Sequence, residues 1–176
     1  AKGATSGFAA VGGLLIRRPL VVGLLNSEIG NFSHGATWGG HPVVMAITIA
    51  NVTAMRDEGV IDNVQANQGY FQDKLDALTA AHDNIAEVRG TGYFYAIELT
   101  GSRSSGEELS DEAAAKLVND LMPDIIANAG VLLRADLRGR PKLVLSPPLI
   151  CTRDDLDELM AAVDQIVSRA AEADLT

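Results

Sequence analysis

The segment FSHGATWGGHP, residues 32–42, sets four glycine or proline residues among eleven, around Thr37, Trp38 and His41. Glycine frees the backbone for tight turns, and proline costs least in the first turn of a helix. A loop is therefore expected to end, and a helix to begin, at Pro42. From Val43 to Ala50 only Thr48 is polar, so the helix predicted from Val43 to about Glu58 reads as buried between layers or domains. A threonine hydroxyl and backbone N–H groups in a glycine loop ahead of a helix N-terminus make a phosphate-binding arrangement. The same features also describe an ordinary surface loop leading into a helix, and the segment alone leaves both readings open.

Upstream, AKGATSGFAAVG (residues 1–12) is small and glycine-rich, a loop by composition. Gly13 to Ile16 is a short apolar run ending at Arg17 and Arg18, read as a buried strand reaching the surface. Residues 19–42 are mixed. Lys2 stands between Ala1 and Gly3, with Thr5, Ser6 and Gly7 close behind. Small neighbours let a bulky ligand approach the backbone, and a desolvated lysine amine is a Schiff-base nucleophile. A lysine beside a chain terminus is nevertheless ordinarily a solvated charge.

Gly59 breaks the helical pattern, and a domain boundary is expected at 58–60. Val64, Phe71, Leu75 and Leu78 give one apolar face through 60–81. IAEVRGTGYFYAIEL (85–99) is β-rich, with Gly90 and Gly92 marking a bend or bulge. After the polar loop GSRSSGEE (101–108), Ser110 is a candidate N-cap for a helix carrying Leu117, Leu121 and Ile125 and closed by Gly130. Pro123 should kink or split that helix. Strands are expected at Val131 to Arg134 and at Lys142 to Leu145, separated by the turn ADLRGRP. Thr152 with Asp155 resembles a capping box, opening a last helix whose apolar face is Leu156, Leu159, Val163 and Ile166. Arg134, at a strand end, has the fork that binds carboxylates, although a lone arginine there is usually solvated.

The whole chain has 176 residues, 47% of them hydrophobic, so a packed core is expected. A net charge of −9 argues against nucleic acid as partner. The single cysteine, Cys151, excludes an internal disulfide and fits a reducing compartment. No apolar run is long enough to span a bilayer, and the N-terminus lacks the apolar core of a signal peptide, so the cytoplasm is the expected location and no membrane partner is expected.

The order of these blocks carries a resemblance. A small residue and lysine followed by GATSG, a strand ending in Arg17, F-x-H-G-x-T-W-G-G-H-P, R-G-T-G with Glu98 and Leu99, and LSPPL (145–149) together resemble the class III aminotransferases over essentially the whole chain. The resemblance implies an α/β chain of the pyridoxal-phosphate-dependent transferase fold type I. Residues 1–58 would be the C-terminal part of the large domain, and residues 59–176 the small α+β C-terminal domain.

It also implies pyridoxal 5′-phosphate as cofactor and no metal. Lys2 matches the Schiff-base lysine, catalytic and cofactor-binding. Thr37 matches the threonine that binds the cofactor phosphate of the neighbouring subunit, implying a homodimer with shared active sites. Arg134 matches the mobile arginine that pairs with a substrate carboxylate and swings aside for an uncharged substrate. Trp38, where tyrosine is frequent, would line the partner's pocket or serve packing. Arg89, Gly90, Gly92, His41 and Pro42 match as structural residues. The substrates implied are a small amine or ω-amino acid and a keto acid such as pyruvate.

Two departures stand out: Ala9 and Ala10 replace a larger residue and proline, and Pro123 lies within a helix. The family's phosphate loop, ring-stacking aromatic and pyridine-binding aspartate precede the lysine and have no counterpart here. The expectation is a chain inactive alone, needing a companion polypeptide with the N-terminal part. Rival readings are an aminomutase, racemase or decarboxylase on the same scaffold, or a non-catalytic fragment.

Overall fold

The computed structural model describes residues 2–175, with the Lys2 side chain outside that description. The chain divides into two compact units, residues 1–59 and 60–176. Among the described residues no helix is long and apolar enough to cross a membrane.

In the first unit a short 3₁₀ turn, Lys2–Ala4, leads into a loop. Helix α1 spans Arg18–Leu25 and α2 spans Pro42–Asp57. Pro42 opens α2 behind the N-cap His41, where its missing N–H would have had no helical partner. Helix α1 stands in the segment read as mixed; Pro19 in its first turn was the available signal. Two expectations need correction. Gly13–Ile16 is not a strand, and Leu14 and Leu15 are exposed. A strand exists only through ladder hydrogen bonds, and the first unit has no second strand among the described residues to supply them. Nor does α2 bury any residue: Val43, Ile49 and Val52 all face outward. Its apolar sequence is real, but two helices and their loops offer no layer to cover it.

The second unit is a four-stranded antiparallel sheet in the order β1-β2-β4-β3. Helix α3 (Val60–Ala81) precedes the hairpin of β1 (Ile85–Thr91) and β2 (Phe94–Leu99). Helix α4 (Asp111–Ala115) runs through a π-helical turn, 116–121, into α5 (Met122–Asn128). Strands β3 (Arg134–Asp136) and β4 (Lys142–Leu145) follow, then α6 (Arg153–Glu172). Phe71, Leu75 and Leu78 of α3 and Leu156, Val163 and Ile166 of α6 bury against Tyr95, Ile97, Leu143 and Leu145 of the sheet. Phe71 meets the rings of Tyr93 and Tyr95 edge-on, at centroid distances of 5.8 and 5.3 Å.

The caps are as the sequence predicts: Ala113 N–H donates to the Ser110 hydroxyl, and Thr152 with Asp155 closes a reciprocal capping box. Pro123 splits its helix through the π turn, in which Met122 N–H bonds the Leu117 carbonyl five residues back. Strand β3 lies three residues later than expected. Its pairing with β4 aligns Arg134 with Val144 and Asp136 with Lys142, so Arg134 opens the strand rather than closing it. Hydrophobic pattern drew the expectation to Val131–Leu133, but ladder bonds fall further on.

Gly90 pairs with Tyr95 across the hairpin, and a Cβ there would stand 2.1 Å from the Phe94 carbonyl oxygen. Gly69, inside α3, has nothing within 4 Å of that position. Gly90→Ala should therefore cost about 1–3 kcal/mol of stability. Gly69→Ala should instead add about 0.5–1 kcal/mol. Urea midpoints of the two variants, moving in opposite directions, check this.

Candidate functional site

The lysine loop is held from α2. Asn51 Nδ2 donates to the Gly3 carbonyl at 3.0 Å, and Ser6 Oγ donates to Asn51 Oδ1 at 2.7 Å. Inside the loop Thr5, fully buried, donates from its hydroxyl to the Ala9 carbonyl at 2.6 Å, and Phe8 N–H donates to the Thr5 carbonyl. Ser6 sits at φ +47 and Gly7 at φ +83. A non-glycine residue in that region costs roughly 1–2 kcal/mol, which the surrounding bonds must offset. The backbone of Lys2 is thus anchored at its C-terminal side. Its side chain, the residue the sequence reading singles out first, lies outside the described residues. Asn51 escaped the sequence reading; an amide in the middle of an otherwise apolar helix was the signal.

Thr37 opens a turn, 37–40, in which Gly39 N–H donates to the Ala36 carbonyl at 2.8 Å and Gly40 adopts φ +72. Its hydroxyl has no partner among the described residues, and its residue is exposed. Trp38, also exposed, lies with its ring 5.3 Å from that of His41, tilted by 40°. His41 Nδ1 is buried without a hydrogen-bond partner. The turn that Thr37 opens leads through the N-cap His41 into the N-terminus of a 16-residue helix. An exposed threonine hydroxyl in a turn ahead of a helix N-terminus fits a phosphate group. No hydrogen bond among the described residues joins this loop to the lysine loop.

Arg134 belongs to the second unit. Its side chain is 65% exposed, and Nη2 lies 2.6 Å from Asp136 Oδ2. Asp136 itself is buried, its side chain 4% exposed. Arg138 grips the same carboxylate from Nε at 3.0 and 3.1 Å and from Nη2 at 2.7 Å, and adds its backbone N–H at 2.9 Å. Those hydrogen bonds, with the charges of Arg138 and Arg134, hold the Asp136 carboxyl well below the usual carboxylate range. Sequence reasoning missed Asp136 and Arg138, because it placed both in a turn.

Arg89, Gly90 and Gly92 serve structure. Arg89 pairs with Glu98, whose side chain is 7% exposed, while Lys142 lies 3.7 Å and Arg140 4.0 Å from the same carboxylate. Gly92 takes φ +60 in the hairpin turn. Among the described residues no group of three or more His, Cys, Asp or Glu side chains is placed to hold a metal ion.

Comparison with known proteins supplies the context for this geometry. The family model described as aminotransferase class-III matches residues 1–167. The putrescine–pyruvate aminotransferase of Pseudomonas aeruginosa is 31% identical over 98% of the chain and 36% of its own length. A probable aminotransferase of Mycobacterium tuberculosis is 30% identical over 96% of the chain and 35% of its own length. Among solved structures, a transaminase from ancestral reconstruction superposes with a TM-score of 0.84 at 29% identity, covering 97% of the chain and 37% of its own. An (S)-enantioselective ω-transaminase from Thermomicrobium roseum gives 0.81 at 27% identity, over 96% of the chain and 36% of its own. The chain spans about a third of the length of these relatives.

Asn51→Ala removes both bonds that tie the lysine loop to α2. Hydrogen–deuterium exchange at the amides of residues 3–8 should rise, with the amides of α3 unchanged as the internal reference.

Proposed function

Since the chain belongs to the class III aminotransferases, an enzyme family whose fold its own repeats, we propose that it is the C-terminal portion of a transaminase moving an amino group from an amine or ω-amino acid to a keto acid such as pyruvate. Residues 1–58 are read as the end of the large domain and 59–176 as the small domain. Pyridoxal 5′-phosphate, the cofactor of the family, supplies an electron sink for the electrons of the substrate's Cα–H bond. Lys2 would hold that group covalently and, once the substrate's amine has displaced it, would carry the proton from the substrate's Cα to the cofactor's C4′ carbon. The Thr37 hydroxyl donates to a phosphate oxygen across a homodimer interface, ahead of the first turn of α2. Trp38, projecting beside Thr37, lines the partner subunit's pocket.

The observation that carries the acceptor half of the reading is Arg134. An arginine two-thirds exposed on the first residue of an edge strand presents a planar fork to whatever approaches it. A keto acid has the carboxylate that fork fits. Similarity to a putrescine–pyruvate aminotransferase supports the same substrate class. The chain spans about a third of the relatives' length, so the activity is proposed for the full-length enzyme of which this chain is the C-terminal portion.

Two experiments on the full-length enzyme test this. Borohydride reduction followed by peptide mass mapping should place one reduced pyridoxal phosphate adduct on Lys2; an adduct on another lysine would remove the cofactor assignment. Arg134→Ala should raise the KM for pyruvate roughly tenfold or more, the worth of a charged hydrogen-bonded pair. Unchanged pyruvate kinetics would remove the acceptor assignment.

A further inference from the structure

Asparagine is a poor residue for a helix interior, because its side chain competes with the backbone for hydrogen bonds. Asn51 nevertheless stands in the middle of α2, with its amide fully engaged outside the helical ladder. Nδ2 donates to the Gly3 carbonyl at 3.0 Å and lies 3.6 Å from Met55 Sδ, while Oδ1 accepts from the Ser6 hydroxyl at 2.7 Å. The Gly3 carbonyl can only accept, so the amide nitrogen must face it and the oxygen is left for Ser6. A carboxylate at this position would have no donor for Gly3, and an apolar side chain would have neither group.

Both bonds land just beyond Lys2, on the next residue and on the fourth after it. Ser6 holds φ +47, a region in which a side chain is strained, and Gly7 beside it holds φ +83. The Thr5 hydroxyl on the Ala9 carbonyl and the Phe8 N–H on the Thr5 carbonyl close the loop upon itself. Asn51 ties that closed loop to a 16-residue helix.

How much the tie matters depends on the step. While Lys2 is joined covalently to the cofactor, that bond itself keeps the lysine beside the reacting carbon. Once a substrate amine has displaced it, only the polypeptide holds the lysine in range. The substrate's Cα–H bond then breaks, its proton passing to the Lys2 amine and its electron pair to the cofactor. A proton crosses only within hydrogen-bond reach, so a loop that drifts by about an ångström slows this transfer far more than it hinders attachment.

We propose that Asn51 is a positioning residue for the displaced Lys2 amine, acting through Gly3 and Ser6 during proton transfer rather than during cofactor attachment. This inference rests on the reading of Lys2 as the Schiff-base lysine.

The test uses the full-length holoenzyme and the variants Asn51→Ala, Asn51→Asp, Ser6→Ala and Ser6→Gly. Borohydride reduction with mass mapping reports attachment. Single-turnover formation of pyruvate from alanine, with hydrogen or deuterium at Cα, reports proton transfer. In both Asn51 variants the adduct on Lys2 should keep its parental occupancy, while the single-turnover rate falls roughly tenfold or more and the deuterium effect persists or grows. Asn51→Asp keeps an acceptor for Ser6 and loses the donor, so it isolates the bond to Gly3. Ser6 is exposed, so its variants remain informative if an Asn51 variant folds poorly. Ser6→Ala should be slower than Ser6→Gly, since glycine takes φ +47 without strain. Occupancy and rate falling together, or a deuterium effect that collapses, would overturn the proposal and leave a structural anchor. Parental rates in all four variants, with the parental adduct on Lys2, overturn this inference alone. A parental adduct on another lysine overturns the underlying reading of Lys2, and this inference with it.

Discussion

The second unit depends on the pairing of β4, a strand of only four residues bonded on both sides. Its register sends Leu143 and Leu145 to the helices and Lys142 and Val144 to the opposite face. A slip of one residue would exchange those sets. The same register lines up Glu87, Glu98, Lys142 and Asp136 in one row across the sheet, and Arg89, Ala96, Val144 and Arg134 in the next. Each edge strand thus carries an arginine two residues from an acid in the neighbouring row. At the β1 edge the arginine is spent on buried Glu98, with Glu87 alongside. At the β3 edge two arginines meet buried Asp136, Arg138 through several hydrogen bonds and Arg134 through one nitrogen.

Much of this unit was legible in the sequence, and the reason is local. Helices α3 and α6 each turn one apolar stripe to the sheet, so their periodicity reports their own packing; the capping box at Thr152 and the N-cap at Ser110 depend only on neighbours a few residues away. Strand β3 was misplaced because apolar character is strongest at 131–133, whereas strand identity comes from the partner's register, which no local pattern records. Asp136 was passed over for the same reason: read as a turn residue, it was given no place in the sheet.

The first unit shows the opposite case. Its apolar residues are written for surfaces that the described residues do not provide, so Leu14, Leu15 and Ile49 face outward and the strand-like run at 13–16 forms no ladder. What did emerge is tertiary but small in scale. One amide on α2 reaches back 48 residues to hold the loop that follows the lysine. In the segment 32–42 the structure adds an exposed Thr37 and a buried, unpartnered His41 nitrogen, neither of which composition could reveal.

The π turn at 116–121 bears on how this chain compares with its relatives. A turn closed five residues back holds one residue more than an α-helical turn along nearly the same path. It sits directly ahead of Pro123, which has no N–H to give and whose ring would strike the carbonyl four residues earlier. A relative with an ordinary residue at that point, and one residue fewer between 116 and 121, would trace the same course. Alignments across the helix should therefore open their gap inside the π turn, since a gap placed elsewhere would rotate every following position of α5 off its true counterpart by about 100°.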